Sequence, residues 1–220
     1  MITAGIDQTL EDEDIVSRIT YGEIGLFELL IRRYNPYLYK VGRSYGFNHQ
    51  DTEDLMQESF IDSYQHLAQL ENKAAFRFWL LKIMLNKCNK KSRTLTFQRN
   101  VSTDVLYLND IPMFSGERDG DATSIIDKRE IGALIEKALM RVPLDYRLVF
   151  TMREMNGFNV EETAKALNIS SVNVRVRLNR AKALLRKEIE KVYSSEELFP
   201  FNLIYCDQVV SNVMGKITGS

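Results

Sequence analysis

From Asn159 to Lys187 the chain reads NVEETAKALNISSVNVRVRLNRAKALLRK, and two helices packed across a tight turn fit it far better than any strand arrangement. Asn159 followed three residues on by Glu162 is a capping box, which predicts a helix start. Ala164 falls where two crossing helices approach closely, and Leu167 closes the inner face. Asn168 then stands at the turn, because Asn tolerates a left-handed backbone better than most residues other than Gly. Ser170 or Ser171 can cap the next helix. In that helix Val174, Leu178, Ala181 and Leu185 recur at i, i+4, i+7 and i+11, one inward stripe. Asn173, Arg177 and Arg180 form a second stripe. Arg175, Asn179, Lys182 and Arg186 form a third.

The second helix carries an unusual charge. Residues 170–187 hold six basic side chains and no acid, in a chain of formal net charge −1. A short helix, a tight turn and then a basic helix is the layout that sets its second helix in a DNA major groove. Arg can bridge the two acceptors of guanine and Asn can pair with adenine, while further Lys and Arg neutralise phosphates. The plain alternative is a solvated basic face on an ordinary helical hairpin.

The rest of the chain reads as helix outside its middle. Pro occurs only four times in 220 residues, and no two alternating segments are joined by a hairpin turn, so the fold expected is all-α. One helical block is predicted over about 21–93 and a second over about 125–191. Between them TLTFQRNVSTDVLYLNDIPMFSGERDGDATS loses periodicity and gathers Ser, Thr, Asn, Asp and Gly, which reads as a flexible linker. Two small helical domains joined by that linker are the predicted architecture.

Charge is segregated within the first block as well. Between Ser44 and Asn72 there are six acids and no Lys or Arg; from Asn72 to Thr103 there are eight basic residues and no acid. HQDTEDLMQESFIDSYQHLAQL reads as one helix. Met56, Phe60, Ser63, Tyr64 and Leu67 share one face, and Asp51, Asp54, Glu58, Ile61 and Asp62 the other. An apolar Ile61 inside an acidic face resembles a protein-docking surface. A solvated face, or a carboxylate metal site completed by His49 or His66, are the competing readings; no second ligand cluster accompanies them, and no metal or cofactor is expected. NKAAFRFWLLKIMLNKCNKKSR interleaves Phe76, Phe78 and Trp79 with Arg77, Lys82, Lys87, Lys90, Lys91 and Arg93. Basic residues track a phosphate backbone and aromatic faces can stack on unpaired bases. Phe76, Trp79 and Ile83 also have core spacing.

In order along the chain, FELLIRRYNPYLYKVGRSYG, DTEDLMQESFIDSYQHL and AAFRFWLLKIMLNKCNKKSR resemble the successive parts of region 2 of RNA polymerase sigma factors of the extracytoplasmic-function group. LIEKALMRVPLDYRLVFTMREMNGFNVEETAKALNISSVNVRVRLNRAKALLRKEIEK resembles their region 4. The resemblance spans about 21–191 apart from the linker. It divides the chain into an acidic N-terminal segment (1–20), region 2 (21–94), a linker (95–125), region 4 (126–192) and a C-terminal amphipathic extension (193–220). It implies a promoter-specificity subunit with no catalytic residues. Core RNA polymerase would be its partner, through the β′ clamp helices and the β flap, together with promoter DNA; an anti-sigma factor is a possible further partner. Asp54, Gln57, Glu58 and Ile61 would then dock on the polymerase. Asn72, Lys73, Arg77, Trp79, Lys82, Asn86 and Lys90 would hold the melted strand of the −10 element. Asn173, Arg175, Arg177, Asn179, Arg180 and Lys182 would bind the −35 element, with Val176 standing where a small polar residue is common. The two elements lie ~50–70 Å apart on a duplex of ~35 Å per turn. A linker of roughly 30 residues could extend to ~100 Å, so its length suffices.

The alternative is a polymerase-independent helix-turn-helix regulator. An enzyme built on the acidic helix would need a divalent ion. Cys88 and Cys206 lie far apart without metal-ligand spacing, which fits a reducing cytoplasm; the start of the chain lacks signal-peptide features, and no membrane insertion is expected. In the tail, Ile204, Val209, Val213 and Ile217 form an apolar stripe, expected to pack on its own domain. Cys206 is expected to be a buried thiol.

Overall fold

The computed structural model describes residues 10–98, 132–191 and 203–218. Every element among them is helical. In chain order these are α1 (Asp12–Thr20), α2 (Phe27–Ser44), α3 (His49–Gln65), α4 (Phe76–Gln98), α5 (132–140), α6 (Leu144–Phe150), α7 (Val160–Leu167), α8 (Ser171–Glu190) and α9 (Leu203–Thr218). Short 3₁₀ turns at Leu67–Gln69 and Lys73–Ala75 bridge α3 to α4, and α6 runs on into a π-helical turn, Thr151–Met155.

Helices α1–α4 form the first body. Leu30, Tyr34, Leu38 and Val41 of α2 meet Leu55, Met56 and Phe60 of α3 and Phe76, Leu80, Leu81, Met84 and Leu85 of α4 in one apolar core. Part of this was not foreseen. The acidic N-terminal segment contains α1, whose Ile15 and Val16 are fully buried in that core and whose Asp12 pairs with Arg33 at 2.5 Å. Its acids sit in the first helical turn, where they complement the helix dipole. The helix α4 also continues to Gln98, beyond the expected boundary at residue 94, since no Gly or Pro interrupts it there. Of the expected linker (95–125), residues 95–98 belong to α4, and the rest of that reading falls outside the described residues.

The crossing of α2 and α3 is close enough to require glycine. A Cβ at Gly42 would lie 2.5 Å from Thr52 Cγ2 and 3.1 Å from Met84 Cε, and Thr52 is fully buried. Gly42→Ala gains about 1 kcal/mol of helix propensity but overpacks the crossing by about 1–3 kcal/mol. The variant is expected to melt a few degrees lower by calorimetry; an unchanged or raised melting temperature would refute the close-crossing account.

Helices α5–α8 form the second body, with Leu139, Val142, Ala181 and Leu185 in one small core and Val149, Ala164 and Val174 in another. The two bodies touch: Leu148, Met152 and Phe158 of the second insert into the core of the first.

The tail corrects an expectation. Val209, Val210, Val213, Met214 and Ile217 of α9 are all exposed rather than packed on the second body. The side chains of Ile204 and Cys206 lie outside the described residues. Cys88 is a free, buried thiol, pushed up to about 12 chiefly by burial.

Candidate polymerase and nucleic-acid interfaces

The sequence places α3 by its ends. Asn48 caps it, its side chain accepting from the Asp51 amide at 2.7 Å, and Gly46 turns the chain into it at φ +85°. Thr52, Leu55, Met56, Ser59, Phe60 and Ser63 face inward. The buried hydroxyls of Ser59 and Ser63 donate to carbonyls of their own helix, Leu55 at 2.6 Å and Phe60 at 2.8 Å. Asp54, Gln57, Glu58 and Ile61 are exposed together on the outer face, and Ile61 is 55% exposed. One flank is tied down from α4. Lys87 bridges Asp62 at 2.6 Å and Glu58 at 3.4 Å, and Lys91 reaches Asp51 at 2.7 Å. Burial pulls the Lys87 ammonium down, but its bonds to Asp62 and Glu58 leave it raised above the usual lysine range. Tyr64, assigned to the inner face from its spacing, sits at the rim instead: it is 38% exposed and its ring meets Phe27 edge-on at 5.2 Å. It stands three residues from Ile61, so the two form one exposed apolar pair, a signal available in the i, i+3 spacing.

The seven residues expected to hold a melted strand divide three ways. Asn72, Lys82, Asn86 and Lys90 are exposed, and the last three recur every four residues as a polar, electropositive stripe along α4. Trp79 and Lys73 are half-buried. The Trp79 ring lies 6.1 Å from Phe76 and packs on the core, while Lys73 donates to Ser17 Oγ at 3.1 Å. Arg77 is turned toward the second body. It donates to the carbonyl of Asn156 and lies over the rings of Phe158, at 4.1 Å, and Tyr37, at 5.1 Å.

The helix-turn-helix forms as its local signals dictate. Asn159 Oδ1 accepts from the Glu162 amide at 2.8 Å and Glu162 accepts from the Asn159 amide at 2.7 Å, completing the capping box. Asn168 adopts φ 53°, ψ 49°, and Ser170 Oγ accepts from the Asn173 amide at 3.2 Å. Val174, Ala181 and Leu185 point inward. Asn173, Arg175, Asn179, Arg180 and Lys182 are exposed on the outer side of α8. Arg177 is held closer in, its guanidinium 3.4 Å from Asp145, and Arg180 donates to the Tyr146 hydroxyl at 3.2 Å. Lys182 pairs with Glu154 at 3.0 Å. Asp145 and Tyr146, at the start of α6, thus line an open cleft of about 500 Å³ with Asn173, Val176, Arg177 and Arg180. Sequence reasoning did not find those two, because they approach α8 only in the folded chain. Among the described residues, no group of three or more His, Cys, Asp or Glu is placed to hold a metal ion.

Comparison with known families decides what this arrangement belongs to. The Sigma-70 region 2 family model matches residues 30–96, and the Sigma-70, region 4 model matches residues 133–185, together more than half of the chain. The chain belongs to the sigma-70 family.

It is similar to the RNA polymerase sigma-H factor of Pseudomonas aeruginosa, with 27% identity over 82% of this chain and 94% of that protein. The ECF RNA polymerase sigma-E factors of Haemophilus influenzae and Escherichia coli K12 are 25% and 26% identical, each covered over 97% of its length. Among solved structures, CnrH in complex with the cytosolic domain of CnrY aligns with a TM-score of 0.58 at 20% identity, over 84% of this chain and 99% of that one. Sigma factor RpoE of Bartonella quintana, in complex with the anti-sigma factor NepR, aligns at 0.57 and 19%, over 74% and 96%. These share its fold. The chain is accordingly a sigma factor of the extracytoplasmic-function group, a promoter-specificity subunit of RNA polymerase that works with core polymerase on promoter DNA. A polymerase-independent regulator is not favoured. No helix among the described residues is long and apolar enough to cross a membrane.

Proposed function

We propose that the three surfaces divide the labour of promoter recognition. The outer face of α3, with Asp54, Gln57, Glu58 and Ile61, docks on the clamp helices of the polymerase β′ subunit. The surface made by Asn72 and Lys73 on the turn before α4 and by Arg77, Lys82, Asn86 and Lys90 along it holds the melted −10 strand, and Trp79 supports that helix from the core side. The outer face of α8, with Asn173, Arg175, Arg177, Asn179, Arg180 and Lys182, binds the −35 duplex, and the same body meets the β flap. One observation carries the docking assignment: Ile61 stands 55% exposed within a carboxylate-rich face whose opposite side is fully packed. Each half alone contacts a short site, and holding both on one polymerase combines their contributions. Bases leaving the stack are captured at an unstacking cost of a few kcal/mol. Nucleotide addition belongs to the polymerase, and the subunit itself performs no chemical step. It acts in the cytoplasm, where the template lies, without cofactor or metal, and an anti-sigma protein is a natural inhibitor, since solved chains of this fold have been seen with such partners.

The test is run-off transcription with purified core polymerase, with and without the full chain. Promoter-dependent RNA is expected only in its presence; equal RNA without it would defeat the reading. Glu58→Lys refines the docking face. Glu58 is exposed and shares Lys87 with Asp62, so its reversal is expected to slow association with core severalfold, most strongly at low salt, as rim charges do. An association rate independent of this charge would remove Glu58 from the interface.

A further inference from the structure

The first turn of α6 is held rigidly against the outer face of α8. Pro143 precedes α6, and its carbonyl accepts from the Tyr146 and Arg147 amides at 3.0 and 2.9 Å. Arg147 is buried and donates through Nη1 to the Met140 carbonyl at 2.7 Å, which fixes the corner between α5 and α6. Val149 of α6 and Val174 of α8 share one core, and Tyr146 packs on the other, which holds Ala181 and Leu185.

Two consecutive residues of that turn then meet two arginines one helical turn apart. Asp145 Oδ2 lies 3.4 Å from Arg177 Nη2, and the Tyr146 hydroxyl accepts from Arg180 Nη1 at 3.2 Å. The Asp145 side chain is 68% exposed, whereas that of Arg177 is only 27% exposed. All four line the open cleft together with Asn173 and Val176. An exposed ion pair of this kind adds little to the stability of a fold, so its consequence lies in binding. A phosphate approaching Arg177 meets the Asp145 carboxylate, and the two anions repel. An uncharged base edge meets no such repulsion. Asp145 thus withdraws Arg177 from the cations that would hold any duplex. A guanidinium already held in place also loses less rotamer freedom on binding. Penalising the wrong site in this way is itself a source of discrimination.

We propose that Asp145 and Tyr146 are positioning residues for −35 recognition: Asp145 reserves Arg177 for base edges by turning phosphates away, and Tyr146 sets the direction of Arg180. The inference rests on the assignment of the outer face of α8 to the −35 duplex.

The experiment titrates holoenzyme carrying the full chain against the promoter duplex used for run-off transcription and against random duplex, at several salt concentrations. Asp145→Asn is expected to tighten binding to random duplex about threefold, to steepen its salt dependence by up to about one unit, and to cut the promoter-to-random ratio about fivefold. Asp145→Glu keeps the carboxylate and is expected to hold that ratio within about twofold of wild type. Tyr146→Phe keeps the ring on its core and removes only the hydroxyl, so promoter affinity should fall about threefold with no change in salt dependence. A purely structural role would instead lower binding to both duplexes together with the melting temperature, and that result would overturn the proposal. An unchanged promoter-to-random ratio in Asp145→Asn would remove Asp145 from it, and wild-type promoter affinity in Tyr146→Phe would remove Tyr146. Replacing Arg177 and Arg180 together by alanine is the reference. Weakened promoter binding in that variant upholds the −35 assignment whatever the α6 variants do. Undiminished binding would defeat that assignment, and this inference with it.

Discussion

Replacing Ile61 with arginine is expected to weaken binding to core RNA polymerase by about 2–4 kcal/mol, the range of an interface anchor, or roughly 30- to 1000-fold in Kd. Promoter-dependent RNA synthesis at limiting sigma should fall with it. The expectation follows from what Ile61 does not do. It is 55% exposed, so it contributes little to the core that Leu55, Met56 and Phe60 fill from the other side of α3. An apolar side chain left in water has most to gain from burial against a partner. It is surrounded by Gln57 and Glu58 one turn before and Tyr64 three residues after, polar and aromatic neighbours that could exclude water around a buried anchor. Loss of the anchor should act on dissociation, in contrast to the association effect expected at Glu58. Biolayer interferometry with core polymerase separates the two rates, and thermal unfolding should be unchanged. Binding by Ile61→Arg with wild-type kinetics would remove α3's outer face from the polymerase interface.

How much of this could be read from the sequence depends on the range of the interaction concerned. The helix-turn-helix was fully readable because each of its determinants acts within four residues: Asn159 with Glu162, Asn168 in its left-handed turn, Ser170 with the Asn173 amide. The exposed Ile61 was readable for the same reason, as one apolar residue out of phase with a clear stripe. Short, charged elements were harder. The helix α1 opens on Glu11–Asp14 and reads only as an acidic N-terminal segment, and the core shows that Ile15, Val16 and Ile19 anchor it. Its role is set by tertiary burial, which a nine-residue helix cannot advertise by propensity alone. The tail α9 erred in the other direction: its apolar spacing was right for packing, yet Val209, Val210, Val213, Met214 and Ile217 stand exposed.

Pairs distant in sequence were invisible. Arg43 with Glu136, Ser44 with Arg147 and Lys40 with Met155 are each separated by roughly a hundred residues, and nothing local distinguishes Arg43 from other basic residues of α2. Arg77 shows the cost of reading charge without topology. Its place in a basic, aromatic helix assigns it to nucleic acid, while the fold sets its guanidinium on Phe158 and the Asn156 carbonyl. Both uses suit a planar cation able to stack and to donate from several nitrogens. The two uses exclude one another in this arrangement, because the guanidinium is already engaged.

The same distinction between free and engaged arginines sharpens the expectation for α8. Removing Arg175 and Arg177 together is expected to weaken binding of the holoenzyme to its cognate promoter by about 2–6 kcal/mol, at about 1–3 kcal/mol for each arginine–base pairing removed. Arg175 is exposed, with no ion-pair partner among the described residues, and can adapt to DNA. Arg177 is held near Asp145 at 3.4 Å, so it meets a groove already oriented. The two lie on different stripes of the helix and should address different positions, which makes their effects close to additive. If they read bases, discrimination between promoter and random duplex shrinks. If they only neutralise phosphates, affinity falls equally on all sequences and the salt dependence flattens by about one unit per arginine. Either substitution leaves Val174, Ala181 and Leu185 in place, so the fold of the second body should survive. Titrating holoenzyme against promoter and random duplexes at several salt concentrations distinguishes these results, and undiminished promoter affinity in the double variant would displace the −35 interface from this face of α8.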